Sequence, residues 1–322
     1  MDVYRKNFQP LLPFRESVHS LVDFEIRHTP DGWDFSHGPF PEGPLFPLLG
    51  TIDVLLAGPP CQGHSSLNNH TRANDPRNSL YLTAVAAAIA VGARFVVIEN
   101  VPGVVRDRLG VLDIARALLE KRGYKTDAGV IDGQRIGWVQ RRRRHFLVAT
   151  LGPLRPLKDV LDEFRARPIP AGDFLQQCPT RDDVPLLNTW PEYSEETRKR
   201  FKFFEMNPDF YDLPCEHRPE CHRNGTTYKA VYGRMRPDQP IPTITTGFLT
   251  PGRGRFVHPT KLRTLTPSEA AYAQGFPRWF KFGIDPEPTR SELSKWIGDA
   301  VPLPLGYVAL HAFRDALGGR QG

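Results

Sequence analysis

Ile52-Asp-Val-Leu-Leu-Ala-Gly-Pro-Pro-Cys-Gln-Gly-His-Ser65 is the stretch on which the fold turns. Residues 52–57 form a short, almost wholly apolar run, which reads as a buried strand. Gly-Pro-Pro then stops it and stiffens the turn that follows. Working outward, residues 79–91 are Ala-rich and read as a helix, and Arg94-Phe-Val-Val-Ile-Glu99 reads as the next strand. Leu112, Ala115 and Leu119 recur at helical spacing within residues 111–122, with Gly123 placed where a helix C-cap belongs. Residues 125–131 and 145–150 are two further strand candidates. Strand–helix–strand alternation of this kind predicts an α/β fold with a mostly parallel sheet and helices on both faces.

Beyond Thr150 the texture changes. From about 151 to 259 prolines are frequent, apolar runs are short and helical periodicity fades. This predicts a smaller, loop-rich domain added to the α/β one. Thr266-Pro-Ser-Glu269 has the form of a helix start, with a capping Thr, a Pro in the first turn and a Glu able to reach back. Between Pro30 and Gly50 the glycines and prolines predict a loop. The predicted division is 1–150 as the first part of the α/β domain, 151–280 as the second domain, and 281–322 as a segment returning to the first.

Composition narrows the function classes. The chain has 322 residues, 40% of them hydrophobic, enough for one large core and a second one. It lacks an apolar run of the roughly 18 residues a membrane span needs and shows no secretory leader pattern. Four cysteines in this length are too few for a disulfide framework and predict a reducing, cytoplasmic setting. A net charge of +6 suits a polyanionic partner without identifying one.

Three segments carry chemistry. Cys61 follows a buried strand, where open α/β sheets present side chains to a cleft. On its own, a Pro-Cys pair is more often a buried structural cysteine in a rigid loop. Glu99 ends the next strand and would face the same rim, or stand solvated there. Gln140-Arg-Arg-Arg-Arg-His-Phe146 leads into a third strand, and alone would be a solvated basic run. Together they fit one reaction. A thiolate adding to C6 of cytosine makes C5 a nucleophile towards an electrophilic methyl group. A carboxyl group at N3 absorbs charge, arginines hold O2, and the target base has to leave the duplex stack.

The ordered segments resemble the cytosine-C5 DNA methyltransferases: the Pro-Cys-Gln loop, the Glu-Asn-Val strand end, and the Gln-x-Arg-x-Arg segment. Arg263-Thr-Leu-Thr-Pro-Ser-Glu-Ala-Ala-Tyr-Ala-Gln-Gly-Phe-Pro277 and Ile297-Gly-Asp-Ala-Val-Pro302 continue the likeness, which runs from about 50 to 310. The resemblance implies a Rossmann-like S-adenosylmethionine-dependent methyltransferase sheet with a smaller target-recognition domain. It implies methyl transfer from S-adenosylmethionine to cytosine C5 in a specific sequence of double-stranded DNA. Cys61 would be the nucleophile, Glu99 the N3 partner, and Arg142 and Arg144 the catalytic arginines. Pro60, Leu80 and Val301 match cofactor-pocket positions, and Asp299, where the family has asparagine, adds a carboxylate beside them. Gln62 and Ser65 lie on the loop that closes on DNA. Thr245 and Thr246 belong to the recognition segment, and Arg253, Arg255, Lys261 and Arg263 would contact phosphates. A monomer acting on a flipped cytosine is expected, with a cognate restriction endonuclease as a partner of a restriction-modification system.

The likeness has gaps. The Gly-rich turn and acidic strand end that hold the cofactor in this family are not visible before Cys61, and residues 2–8 look like the helix that follows them. The sheet is therefore expected to be N-terminally incomplete, to bind the cofactor weakly and to leave apolar surface at residues 52–57. A non-catalytic DNA-binding remnant is the alternative, and an RNA substrate on the same scaffold a third reading. Cys215, His217, Cys221 and His222 match no standard zinc spacing, so no metal is expected.

Overall fold

The computed structural model describes residues 2–60, 79–207, 213–220, 223 and 232–317. Its elements run α1 (Asp2–Phe8), β1 (Val22–Thr29), β2 (Gly32–Pro41), β3 (Val54–Ala57), α2 (Leu80–Ala90), β4 (Phe95–Asn100), α3 (Val111–Glu120) and β5 (Lys125–Asp132). They continue β6 (Gln140–Arg141), β7 (Arg143–Thr150), α4 (Leu157–Glu163), α5 (Ala171–Gln176), α6 (Glu195–Phe203), β8 (Ile241–Pro242), α7 (Pro267–Ala273), α8 (Arg290–Asp299), α9 (Leu303–Leu310) and α10 (Arg314–Leu317). The chain divides into two compact units. One comprises Leu11–Asp132, Arg143–Phe164 and Leu305–Gly322; the other comprises Met1–Pro10, Gly133–Arg142 and Arg165–Pro304.

The first unit holds a four-stranded sheet in the order β3-β4-β7-β5. β3 and β4 run parallel, joined through α2. β7 is antiparallel to both β4 and β5, so among the described strands of this sheet β3, β4 and β5 run in one direction, as expected of a mostly parallel sheet, and β7 opposes them. The cause is the connection. No crossover helix separates β5 from β7, and without one the chain returns antiparallel beside the strand it has just left. Val96, Ile98, Leu147 and Ala149 bury one face against α2 and α3. The opposite face carries Phe95, whose ring lies 4.9 Å from that of Phe313 in the C-terminal segment, and α4 packs on β5. Helices thus cover both faces. β3 is the edge strand, with Leu56 65% and Val54 40% exposed.

Residues 32–41 are not the predicted loop but the second strand of a hairpin. Phe24 and Ile26, then Trp33 and Phe35, alternate with polar residues and pack against the same core. Pro30-Asp31-Gly32 supplies the turn, with Gly32 at φ 96°, a conformation that favours glycine.

The second unit has little regular strand and a core of Phe174, Phe248, Phe256, Phe282, Leu293 and Ile297. α1 belongs to this unit, not beside the sheet. Lys6 Nζ donates to Gly283 O at 2.6 Å, Asn7 Nδ2 donates to Lys281 O at 2.7 Å, and Phe8 meets Trp279 edge-on. α7 begins as its sequence indicates. Thr266 accepts from Glu269 N, and the Glu269 carboxylate accepts from Thr266 N. Among the described residues, no helix is long and apolar enough to cross a membrane.

Candidate active site

In the first unit the candidate residues Pro60 and Glu99 lie at the carboxyl ends of β3 and β4. The parallel register brings Ala57 opposite Ile98, so residues 58–60 emerge beside Glu99 and Asn100. Asn100, fully buried, donates through Nδ2 to Pro59 O at 3.4 Å. A Cβ added to Gly58 would lie 3.8 Å from Glu99 Oε2, so the turn leading to Cys61 starts against the glutamate. β7 runs antiparallel alongside and delivers Arg144, whose Nε lies 2.7 Å from Glu99 Oε1. Both side chains are largely shielded, 16% and 14% exposed, which strengthens a charge-assisted hydrogen bond relative to one in open water.

Two buried groups flank this pair along the chain. Tyr81, in the first turn of α2, is 1% exposed, and its hydroxyl has no hydrogen-bond partner among the described residues. Burial pushes its phenol pKa up, and the nearby Glu99 carboxylate adds to the shift. His145 follows Arg144 on β7, and burial holds its imidazole down at about 4, so it is neutral at pH 7. Pro60 is exposed and Leu80 half-buried, while Leu56 is exposed on the edge strand.

Arg142 is in the other unit and is almost fully buried. Its Nη1 donates to Ile244 O at 2.7 Å and its Nη2 to Ala300 O at 3.0 Å. It belongs to a hub of buried amides. Gln140 accepts from Ile244 N and donates to Gln274 Oε1 at 3.0 Å, while Gln274 donates to Ile297 O at 2.5 Å. Four sequence segments (around 140, 244, 274 and 297) therefore meet in one polar knot. Gly298 completes it, since a Cβ there would fall 2.3 Å from Thr246 N. The knot fixes the backbone of Thr245 and Thr246. Val301 stands 37% exposed just past it, whereas the Asp299 carboxylate is engaged by Lys295 Nζ at 2.6 Å on its own helix.

Of the expected phosphate contacts, Arg253 is exposed and Arg255 half-buried, whereas Arg263 is buried. The Arg263 guanidinium grips Glu269 with two bonds of 2.7 Å. Burial opposes the charge on Glu269, but Arg263, His258 and the Thr266 N–H hold its carboxyl well below the usual range. Thr246 and Arg253 line a cavity of about 550 Å3 together with Glu192, Tyr193 and Arg290. Reading the sequence did not single out these last three, because nothing in their local pattern sets them apart from solvated residues. Cys61, Gln62, Ser65, Cys221 and His222 lie outside the described residues.

Comparison with known proteins gives this geometry a family. The model of the C-5 cytosine-specific DNA methylases matches residues 34–313. The Type II methyltransferase M1.BsuMI of Bacillus subtilis (strain 168) is 38% identical over 317 residues, which are 98% of this chain and 71% of the relative. The Type II methylase M.HgiDII of Herpetosiphon aurantiacus is 28% identical, over 83% of this chain and 77% of its own length. Among solved structures, the S. pombe Dnmt2 methyltransferase shares the fold at a TM-score of 0.56 and 16% identity, covering 83% of this chain and 78% of that one. The segments read from the sequence, the Rossmann-like sheet that carries them and these matches converge: the chain belongs to the C-5 cytosine-specific DNA methylase family.

Proposed function

We propose that the chain methylates C5 of a flipped cytosine in a specific sequence of double-stranded DNA, through a covalent bond between Cys61 and C6. The observation that carries this reading is the Glu99–Arg144 pair at 2.7 Å, set beside the turn that leads to Cys61. The Cys61 thiolate adds to C6 while Glu99, in its protonated form, donates its O–H to N3 from the oxygen that does not accept from Arg144, and Arg144 steadies that carboxyl group and offers further N–H groups to O2. C5, now enamine-like, takes the methyl group. A base then removes the C5 proton, and the Cys61–C6 bond breaks to release the thiolate.

S-adenosylmethionine, when bound, supplies an electrophilic methyl on a sulfonium centre. Pro60, exposed just past β3, and Leu80, half-buried at the start of α2, are the apolar residues that would take its adenine. Val301 offers a further exposed apolar surface, while Asp299 is held by Lys295 and serves its own helix. Arg142 acts as a positioning residue, because its bonds to Ile244 and Ala300 hold the Thr245–Thr246 backbone in place. Thr245, Thr246, Arg253 and Arg255 meet DNA within 151–280, and Gln62 and Ser65 meet it from the Cys61 loop. The names of the Type II relatives support a place in a restriction-modification system; a monomer acting in the cytoplasm beside a cognate endonuclease is part of the same proposal.

Transfer of tritiated methyl groups to a pool of random-sequence duplexes, followed by sequencing of the methylated sites, tests this reading. Label in 5-methylcytosine at one recurring sequence is expected. Label absent from cytosine, or present only in RNA, overturns it.

A further inference from the structure

The 550 Å3 cavity of the second unit has features that recognition of base edges alone does not explain. Its walls are built. Tyr193 is fixed by its hydroxyl, which pairs with Thr264 Oγ1 at 2.8 Å and accepts from Thr264 N at 3.1 Å. Thr246 is fixed from behind by Gly298, and its carbonyl accepts from Ser294 Oγ at 2.5 Å. The stem of Arg253 lies on Gly247, where a Cβ would come within 2.7 Å of Arg253 Cδ. Arg290 is tethered by Nη2, which donates to Thr189 Oγ1 at 2.9 Å. Its Nη1 is buried and has no hydrogen-bond partner among the described residues.

A buried guanidinium nitrogen without an acceptor is costly, and such groups are normally met by protein, water or a ligand. Arg290, which carries that nitrogen, is among the residues that line a cavity large enough for a nucleotide unit. The cavity's charged residues are Arg253, Arg290 and Glu192, a net charge of +1. That balance matches the single negative charge of a phosphodiester better than a free phosphate dianion. Seryl and threonyl hydroxyls at Ser291 and Thr250 offer further donors of the kind that contact DNA backbones.

The geometry points to this cavity as the seat of one backbone phosphodiester of the DNA substrate, held between Arg290 and Arg253. Arg290 is a DNA-anchoring residue that fixes the register of the strand relative to the pinned Thr245–Thr246 backbone. This rests on the reading of DNA as the substrate. Because the contact is made to a phosphate, it contributes equally for every sequence and is sensitive to salt.

The test is equilibrium binding of the full chain to a duplex of about 30 base pairs between about 50 and 200 mM salt, the range over which phosphate contacts are read. Arg290→Gln is expected to weaken binding several-fold and to lower the slope of log K against log salt by about 0.9, the value of one lost phosphate. Arg290→Lys is expected to restore most of the slope, which a purely structural role would not do. Glu192→Gln, exposed and removing the pocket's one carboxylate, is expected to tighten binding about twofold, the direction charge attraction dictates. Loosening by Glu192→Gln overturns the phosphate seat. So does an Arg290→Gln protein that melts like wild type and binds with an unchanged slope, though DNA then remains the substrate. A wild-type chain that binds no duplex at all removes the DNA reading together with this proposal.

Discussion

Glu99 and Arg144 are close enough to act as one group, and neither is expected to work without the other. Glu99→Gln keeps the shape and loses the acid. Methyl transfer should fall by about 10²–10⁴, the usual worth of a positioned general acid. Arg144→Ala should cost about 10²–10³ by removing a fixed cation from developing charge. Combined, the two changes should cost little more than Glu99→Gln alone, because groups that act as a unit are not additive. Single-turnover rates on methylatable duplex measure this. A double variant whose loss equals the product of the two single losses would mean that the ion pair seen at 2.7 Å is incidental. Arg142 belongs to a different class. Arg142→Met strands the buried carbonyl of Ile244 and leaves that of Ala300 to Gln274 alone, and should cost about 1–3 kcal/mol of stability whether or not substrate is present. Urea denaturation of the free protein measures that cost.

At the scale of elements, the knot around Gln140, Arg142 and Gln274 is what the ordered segments of the second unit have in common. Gly298 lies at its tightest point. Gly298→Ala places a methyl group 2.3 Å from Thr246 N, and should cost about 1–3 kcal/mol by overpacking. It should weaken DNA binding as well, because Thr245 and Thr246 move. A variant with lowered melting temperature and unchanged DNA affinity would separate the knot from recognition. Much of this was legible beforehand, for identifiable reasons. α3 carries helical spacing, α2 an Ala-rich run, and β3 and β4 short apolar runs, while the Thr266–Glu269 capping box is a local rule that the structure follows. The hairpin of β1 and β2 was hidden because Gly38, Pro39 and Pro41 mask an alternation that Phe24, Ile26, Trp33 and Phe35 do display. The direction of β7 was not legible, since it depends on how the chain re-enters the sheet after residues 133–142. Arg290 was not legible either, because its meaning arises only where Thr246 and Arg253 meet it.

Across the whole molecule, stability should depend on pH through His145. Its imidazole titrates at about 4 in the fold and near 6.5 when unfolded, so the folded state binds protons less readily. The sign follows. The neutral ring's contribution is intact above pH 6.5 and is lost as the pH falls from there towards 4. Between pH 7 and pH 5 the loss through this ring should be roughly 2 kcal/mol, and His145→Asn should remove that part, leaving what His258, also held down by burial, contributes in the same direction. Glu269, held below the usual carboxylate range, acts in a lower window and leaves this one untouched. Urea midpoints at the two pH values decide. A wild type as stable at pH 5 as at pH 7 would contradict the buried neutral histidine.

The covalent bond between Cys61 and cytosine C6 is tested most directly by trapping it. Duplexes of random sequence with 5-fluorocytosine in place of cytosine are incubated with the chain and S-adenosylmethionine, then denatured and resolved by mass. Fluorine at C5 cannot leave as a proton does, so the bond to Cys61 cannot be released. A protein–DNA adduct that maps to Cys61 and disappears in Cys61→Ser is the expected result. Wild-type protein that methylates ordinary duplex yet forms no adduct, or an adduct that survives Cys61→Ser, would contradict it.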